Sequence, residues 1–154
     1  MELIPIKNNP NFFVKEIKTP YNSGFRHSID KELMHGGKHK LLRRIPIEGP
    51  WGFTFKSEIT FYKTGAVVKE DSGISGAYIT YFYDNNGVEL LVLKDWDVDE
   101  QVNRVRHLGS HDLIVGQNEL SVTKTQDGNI TKSSFSYKDL QDKAKQKEYK
   151  EFNL

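Results

Sequence analysis

Residues 49–68 read GPWGFTFKSEITFYKTGAVV. Phe53, Phe55, Ile59 and Phe61 fall on alternate positions, with Ser57 as one small interruption, while Thr54, Lys56, Glu58 and Thr60 take the other face. A period of two is that of a strand with one face buried and one in water, because successive Cβ atoms leave a pleated chain on opposite sides. Lys63-Thr64-Gly65 then breaks the run before the chain resumes with AVV, as a hairpin does.

The same grammar continues outward. ISGAYITYFY (74–83) leads into DNNG (84–87), whose Asn-Gly suits the positive φ angles of a type I′ turn. VELLVLKDW, NRVRHL (103–108), HDLIVG (111–116), NELSVTKT (118–125) and ITKSSF follow as short strands, with QDGN (126–129) as a further turn. With KLLRRIPI this makes about eight or nine strands at a spacing of about 8–12 residues, the pattern of an antiparallel barrel or sandwich. Tyr78, Thr80 and Phe82 cannot share a face with Ile79, Tyr81 and Tyr83. One set therefore points outward, against the N-terminal extension, the terminal helix or a partner.

Three zones result. All five prolines (5, 10, 20, 46 and 50) lie at or before Pro50, and a proline-free remainder suits continuous sheet. Residues 1–40 read as an irregular extension with one short helix, IDKELMH, capped by Ser28 and stopped by Gly36-Gly37. Residues 41–132 read as a barrel. Residues 133–154 have the composition of a helix, with Ser136 and Asp139 as a weakened capping box. Leu140 and Ala144 form a thin apolar stripe, which predicts a loosely docked helix. The whole is one domain of 154 residues, enough to bury roughly 68–70% of its unfolded surface.

Composition removes several function classes. No cysteine means no disulfide, no thiolate metal site and no cysteine nucleophile. Twenty-two basic against 21 acidic residues leave no global field for nucleic acid or an anionic membrane. No apolar run approaches the ~18 residues of a membrane span. MELIPIKNNPNFFVKEIK lacks the basic and apolar regions of a signal peptide, although a trimmed chain would look the same, so the compartment stays open.

Gly49-Pro50-Trp51 ahead of an alternating strand resembles the Gly-x-Trp signature of the lipocalin/calycin superfamily, and FYKTGAVV, ISGAYITYFYDNNGVELLVL and LGSHDLIV (108–115) resemble strands of short bacterial lipocalin-like domains. The resemblance covers residues 45–130. It implies a compact antiparallel β-barrel, with Gly49 and Trp51 as a structural motif at its closed end and a ligand interior.

The remaining chemistry is thin. His35 and His39, and His107 and His111, have His-x3-His spacing, which on a helix would place two imidazoles on one face. HGGKH carries two glycines, HLGSH spans a strand-to-turn corner and no HExxH is present, so the histidines, with Asp112 beside them, read as solvated loop residues and no metal or other cofactor is assigned. KDWDVDE (94–100) gathers Asp95, Asp97, Asp99 and Glu100 around Trp96; it reads as a loop of solvated turn formers, without the glycine or terminal glutamate of a calcium loop. Lys38, Lys40, Arg43 and Arg44 form the one local basic stretch, read as a solvated rim. No nucleophile appears with its base, so no catalytic residue is assigned.

The informative surplus is aromatic, 12% of residues and concentrated in the strands. The expectation is a non-catalytic barrel that buries a small apolar or amphipathic ligand against Phe53, Phe55, Phe61, Tyr81, Tyr83 and Trp96. The alternative is a protein-interaction module of the immunity or inhibitor type, its interior filled and its outward aromatics, extension and charged helix meeting a partner.

Overall fold

The computed structural model describes residues 3–4, 9–20, 27–36, 40–46, 57–71, 77–99, 101–102 and 104–152. The strands are β1 (Leu3–Ile4), β2 (Phe12–Pro20), β3 (His27–His35), β4 (Lys40–Pro46), β5 (Ser57–Tyr62), β6 (Gly65–Asp71), β7 (Tyr78–Asp84), β8 (Glu89–Lys94), β9 (Trp96–Asp99), β10 (Arg104–His107), β11 (Ser110–Val115), β12 (Glu119–Gln126) and β13 (Asn129–Ser136), followed by the helix α1 (Tyr137–Phe152). Every pairing is antiparallel between neighbours in sequence: β1-β2-β3-β4, β5-β6-β7-β8, β9-β10 and β11-β12-β13. The fold is thus mainly β, a set of meanders, and among the described residues the strands do not close into one barrel. Gly49, Trp51, Phe53 and Phe55 lie outside the described residues.

The central sheet, β5 to β8, is apolar on both faces, and both are covered. On one face Ile59, Phe61, Ala66, Val68, Tyr81 and Tyr83 pack against Phe12, Leu33, Leu42 and Ile45 of the N-terminal sheet. On the other, Val67, Phe82, Leu90 and Leu91 pack against Leu113, Val115, Leu120 and Phe135 of the C-terminal sheet and against Leu140 and Ala144 of α1. Phe82 is 0% exposed and Tyr83 3%, although adjacent residues must point to opposite sides. The YITYFY run that carries aromatics on both faces is therefore the middle of three layers. Its two sets face the N-terminal and C-terminal elements respectively, and each fully buried large side chain contributes about 1.5–3 kcal/mol.

Two expectations for the N-terminal zone are corrected. Residues 28–35 form β3 rather than a helix, and the extension is a sheet rather than irregular chain. A helix of seven or eight residues carries the full nucleation cost with few intrahelical bonds. As a strand between β2 and β4, the segment has ladder partners on both sides and buries Leu33 and Met34. Gly36 still adopts positive φ, +73°, but in the turn leaving β3, where its N–H donates to the Asn11 carbonyl.

Two polar ties fix this sheet to the centre. Asn9 donates its amide to the Tyr62 carbonyl (2.9 Å) and to Asn85 Oδ1 (2.6 Å), and Asn85 in turn donates to the Lys63 carbonyl (2.8 Å). The KTG and DNNG turns are thereby joined to the start of the chain. Arg43 of β4 makes a bidentate pair with Glu70 of β6 (2.6 and 2.9 Å) while its guanidinium lies 3.6 Å from the Tyr81 ring centre.

The helix is docked more firmly than its thin stripe suggests. Ser136 Oγ accepts the Asp139 N–H (3.1 Å), as a helix N-cap does. Tyr137 stacks on Phe82, with centroids 5.7 Å apart, and its hydroxyl meets Thr64 Oγ1 and the Gly116 carbonyl. Leu140 is buried, and Gln141 donates to Asp84 (3.2 Å).

Candidate functional site

Asp95 is the single residue between β8 and β9, where the chain leaves the central sheet for a hairpin. Its backbone continues pairing on both sides: its N–H donates to the Tyr78 carbonyl (2.9 Å) and its carbonyl accepts from Leu108 (2.8 Å). Its buried carboxylate joins the same three segments. Oδ2 accepts the Tyr78 N–H (3.1 Å), and Oδ1 accepts the His111 N–H (3.0 Å) and lies 2.8 Å from His111 Nδ1. Toward a carboxylate oxygen the ring nitrogen serves as the donor. The arrangement orients an imidazole as an Asp–His pair does; no serine, threonine or other nucleophile is within hydrogen-bond range of His111 among the described contacts.

This junction opens into a cleft of about 240 Å³ lined by Ala77, Asp95, His107, Gly109, Ser110, Thr125, Gln126 and Asp127. Ser110, Thr125, Gln126 and Asp127 make its lining mainly polar, which favours a hydrogen-bonding group over an apolar one. Beside it stands the β9–β10 hairpin. Asp97 lies opposite Arg106 in the ladder, with their charged groups 3.6 Å apart and largely exposed, a modest cross-strand contribution. All four residues of β10 are exposed. Val105 and His107 share one face of that strand, which continues the cleft wall into an apolar surface. Val102, at the tip, is 59% exposed and Val105 40%.

The sequence-predicted ligand residues are distributed differently. Phe61, Tyr81 and Tyr83 do share a face, but they are packed into the core between the central and N-terminal sheets. Burial raises the Tyr81 phenol, with Glu70 and Glu89 adding to it and Arg43 opposing. Burial likewise raises Tyr83, with Arg43 opposing and Glu89 and Tyr81 reinforcing. Burial disfavours the Arg43 cation, but the hydrogen bonds and charge of Glu70 outweigh it and hold the guanidinium more firmly protonated than usual. Clefts of about 300 and 220 Å³ between α1 and the β7–β8 region, like the Asp95 cleft, are lined by none of these three aromatics. Trp96 starts β9 opposite His107, and its Nε1 is buried without a hydrogen-bond partner among the described residues.

The titratable motifs also change character. Asp95 is not a solvated turn former, Asp97 and Asp99 lie in a strand, and His111 is not a solvated loop residue. Asp97 faces Arg106 while Asp95 is taken up by Tyr78 and His111, so the alternating aspartates do not present a common set of oxygens. Among the described residues no three histidine or acidic side chains gather as metal ligands. In the basic stretch Arg43 pairs with Glu70 and Arg44 with Glu32. The Asp95–His111 pairing was within reach of the sequence. Matching D-x-D of WDVD against R-x-R of RVRH sets a hairpin register that carries Asp95 opposite Leu108, three residues from His111. No protein-family model matches the chain, and no curated protein and no solved structure matches it significantly.

Proposed function

We propose that this protein is a non-catalytic protein-binding module that engages its partner through the β9–β10 arm and the adjoining Asp95 cleft. The observation that carries this reading is the contrast between a central sheet filled on both faces and an arm that holds Val102 and Val105 in solvent. Apolar side chains on a projecting hairpin lose water when a partner covers them. The cleft, with Ser110, Thr125 and Asp127 in its lining, accepts a hydrogen-bond-donating side chain of that partner. Fixed geometry at the Asp95 junction holds the arm in place before binding, which lowers the ordering cost of association.

The test is affinity capture from the source cells with the wild-type chain and with a Val102→Asp/Val105→Asp double variant. A protein retained by the wild type and lost by the folded variant supports the arm as the contact surface. Equal retention by both chains refutes it.

A second reading keeps the lipocalin-like barrel with a small apolar ligand inside. It is favoured by the concentration of Phe12, Phe61, Tyr81 and Tyr83 between two facing sheets. Native mass spectrometry of gently purified protein separates the readings: a small molecule that co-purifies and is lost on denaturation supports the barrel, whereas an apo mass leaves the arm.

A further inference from the structure

The outward face of the β11–β12–β13 sheet has a pattern that the arm does not explain. Cross-strand register arranges it in three rows. The first is Ser110, Thr125, Ile130; the second is Asp112, Thr123, Lys132; the third is Ile114, Ser121, Ser134. Inward-facing Leu113, Val115, Leu120 and Val122 of the same sheet enter the core or lie buried, so these rows are its solvent side. Ile114 and Ile130 are each 66% exposed, at diagonally opposite corners. Asp112 and Lys132 are exposed on the two outer strands of the middle row, with Thr123 between them.

A two-fold axis running along β12, above this face, exchanges the outer strands and preserves the rows. The operation lays β11 of one copy over β13 of the other. Asp112 then faces Lys132 of the partner copy, and Lys132 faces the partner copy's Asp112. In the same operation Ile130 falls on Ser110 and Ile114 on Ser134, a large side chain on a small one at both ends. Acid meets base in the middle row and large meets small in the two outer rows without adjustment of register. A face unrelated to its own copy has no reason to satisfy all three rows under one rotation.

We infer that the protein self-associates face to face through this sheet, as an isologous dimer with its axis along β12. The two sheets stack about 10 Å apart in the aligned packing of a β-sandwich, with strand directions within about 30°. The footprint, three strands by five residues, is about 14 by 17 Å per copy. At about 240 Å² per copy, or about 480 Å² in total, that lies below the ~1,200 Å² of standard specific interfaces, so the dimer is weak and transient, with a dissociation constant in the high micromolar range. The inference rests on the register and exposure of β11 to β13 and not on the arm. The face does adjoin the Asp95 cleft, which Ser110 and Thr125 also line.

Sedimentation velocity across a concentration series tests it, on the wild type, Asp112→Lys, Lys132→Asp and the double exchange, with circular dichroism confirming the fold of each. The wild type should show a concentration-dependent monomer–dimer equilibrium. Each single variant brings like charges together at two places and should weaken the dimer tenfold or more. The double exchange restores the pairing and should return the dissociation constant to within a few-fold of wild type. Thr123→Arg, which sets the same cation on both sides of the axis, should abolish the dimer. A wild type that stays monomeric to about 1 mM overturns the inference, as do single variants that dimerise unchanged. So does a double exchange that fails to recover, because edge-to-edge or other contacts would not respond to the swap. Val102→Asp/Val105→Asp should leave this equilibrium intact, so loss of partner capture and loss of the dimer are read separately.

Discussion

Replacing Asp95 by alanine isolates what the junction is worth. The substitution removes a carboxylate that accepts three hydrogen bonds at 2.8–3.1 Å, two of them from backbone N–H groups of Tyr78 and His111. Neither N–H can follow a lost side chain, because each belongs to a residue fixed in a strand. A buried donor left without an acceptor costs about 1–3 kcal/mol, and the ring contact adds about 1 kcal/mol. The expected loss is therefore about 3–7 kcal/mol, a large part of the 5–15 kcal/mol typical of a domain. For a chain of this length it corresponds to a fall in Tm of about 10–20 °C. His111→Ala is the control: it removes the ring but leaves both backbone N–H groups paired to Asp95, so it should cost about 1–2 kcal/mol. Asp95→Asn belongs between them, since the amide keeps one acceptor oxygen and turns an NH2 toward a donor. Urea denaturation followed by circular dichroism gives the order directly, provided the m-value is unchanged. A loss below 1 kcal/mol for Asp95→Ala, or a larger loss for His111→Ala, would refute the assignment of the carboxylate as the tie between β7, β9 and β11.

Two further perturbations examine the layers. A Cβ on Gly65 would lie 2.1 Å from the Tyr83 carbonyl and 2.7 Å from Phe82 Cζ, so Gly65→Ala must part β6 from β7 and should cost about 3 kcal/mol. Gly36→Ala meets nothing within 4 Å and bears only the strain of φ +73°, about 1 kcal/mol; thermal melts should rank the two in that order. Tyr81, Tyr83 and Tyr137 are held above the ordinary phenol value of 10.0, chiefly by burial. The native state then holds protons that the unfolded chain releases, so their contribution is complete below pH 10 and falls as pH rises beyond it. An alkaline absorbance titration should show a late-ionising class that shrinks in Tyr81→Phe and Tyr83→Phe, and a stability that declines above pH 10 less steeply in those variants; phenols that all ionise together near 10 would contradict the packing.

Strand content and most turns could be read from local pattern, because the information is local. Alternation identifies β5, Asn-Gly and Asp-Gly mark the turns at 85–87 and 126–129, and Ser136 caps the helix. Asp127 and Gly128 carry φ +52° and +80°, as a type I′ turn requires, whereas in DNNG only Gly87 has positive φ (+76°), so the type I′ expectation there is corrected. What pattern alone misassigned was the segment 28–35. Its seven-residue stretch is compatible with either period, and only its position between two pairing strands decides for β. The layering was half legible: the double-faced aromatics of β7 announced two covers, but which elements supplied them depends on contacts between residues as far apart as Phe82 and Tyr137. Two cores in place of one barrel interior then account for why Phe61, Tyr81 and Tyr83 share a face and yet are spent on packing.

The candidate site shows why isolated motifs mislead. KDWDVDE and RHLGSHD each look like solvent-facing loops when taken singly, since acidic residues and histidines usually occupy such places. The hairpin between them folds one onto the other, and a carboxylate that would be solvated alone becomes the acceptor for three donors. Burying it is tolerable only because those donors are present, and the donors find their acceptor only in its two oxygens. Removing the exposed Val102 and Val105 side chains of the arm should therefore leave stability within about 0.5 kcal/mol of wild type, whereas removing the Asp95 carboxylate should not.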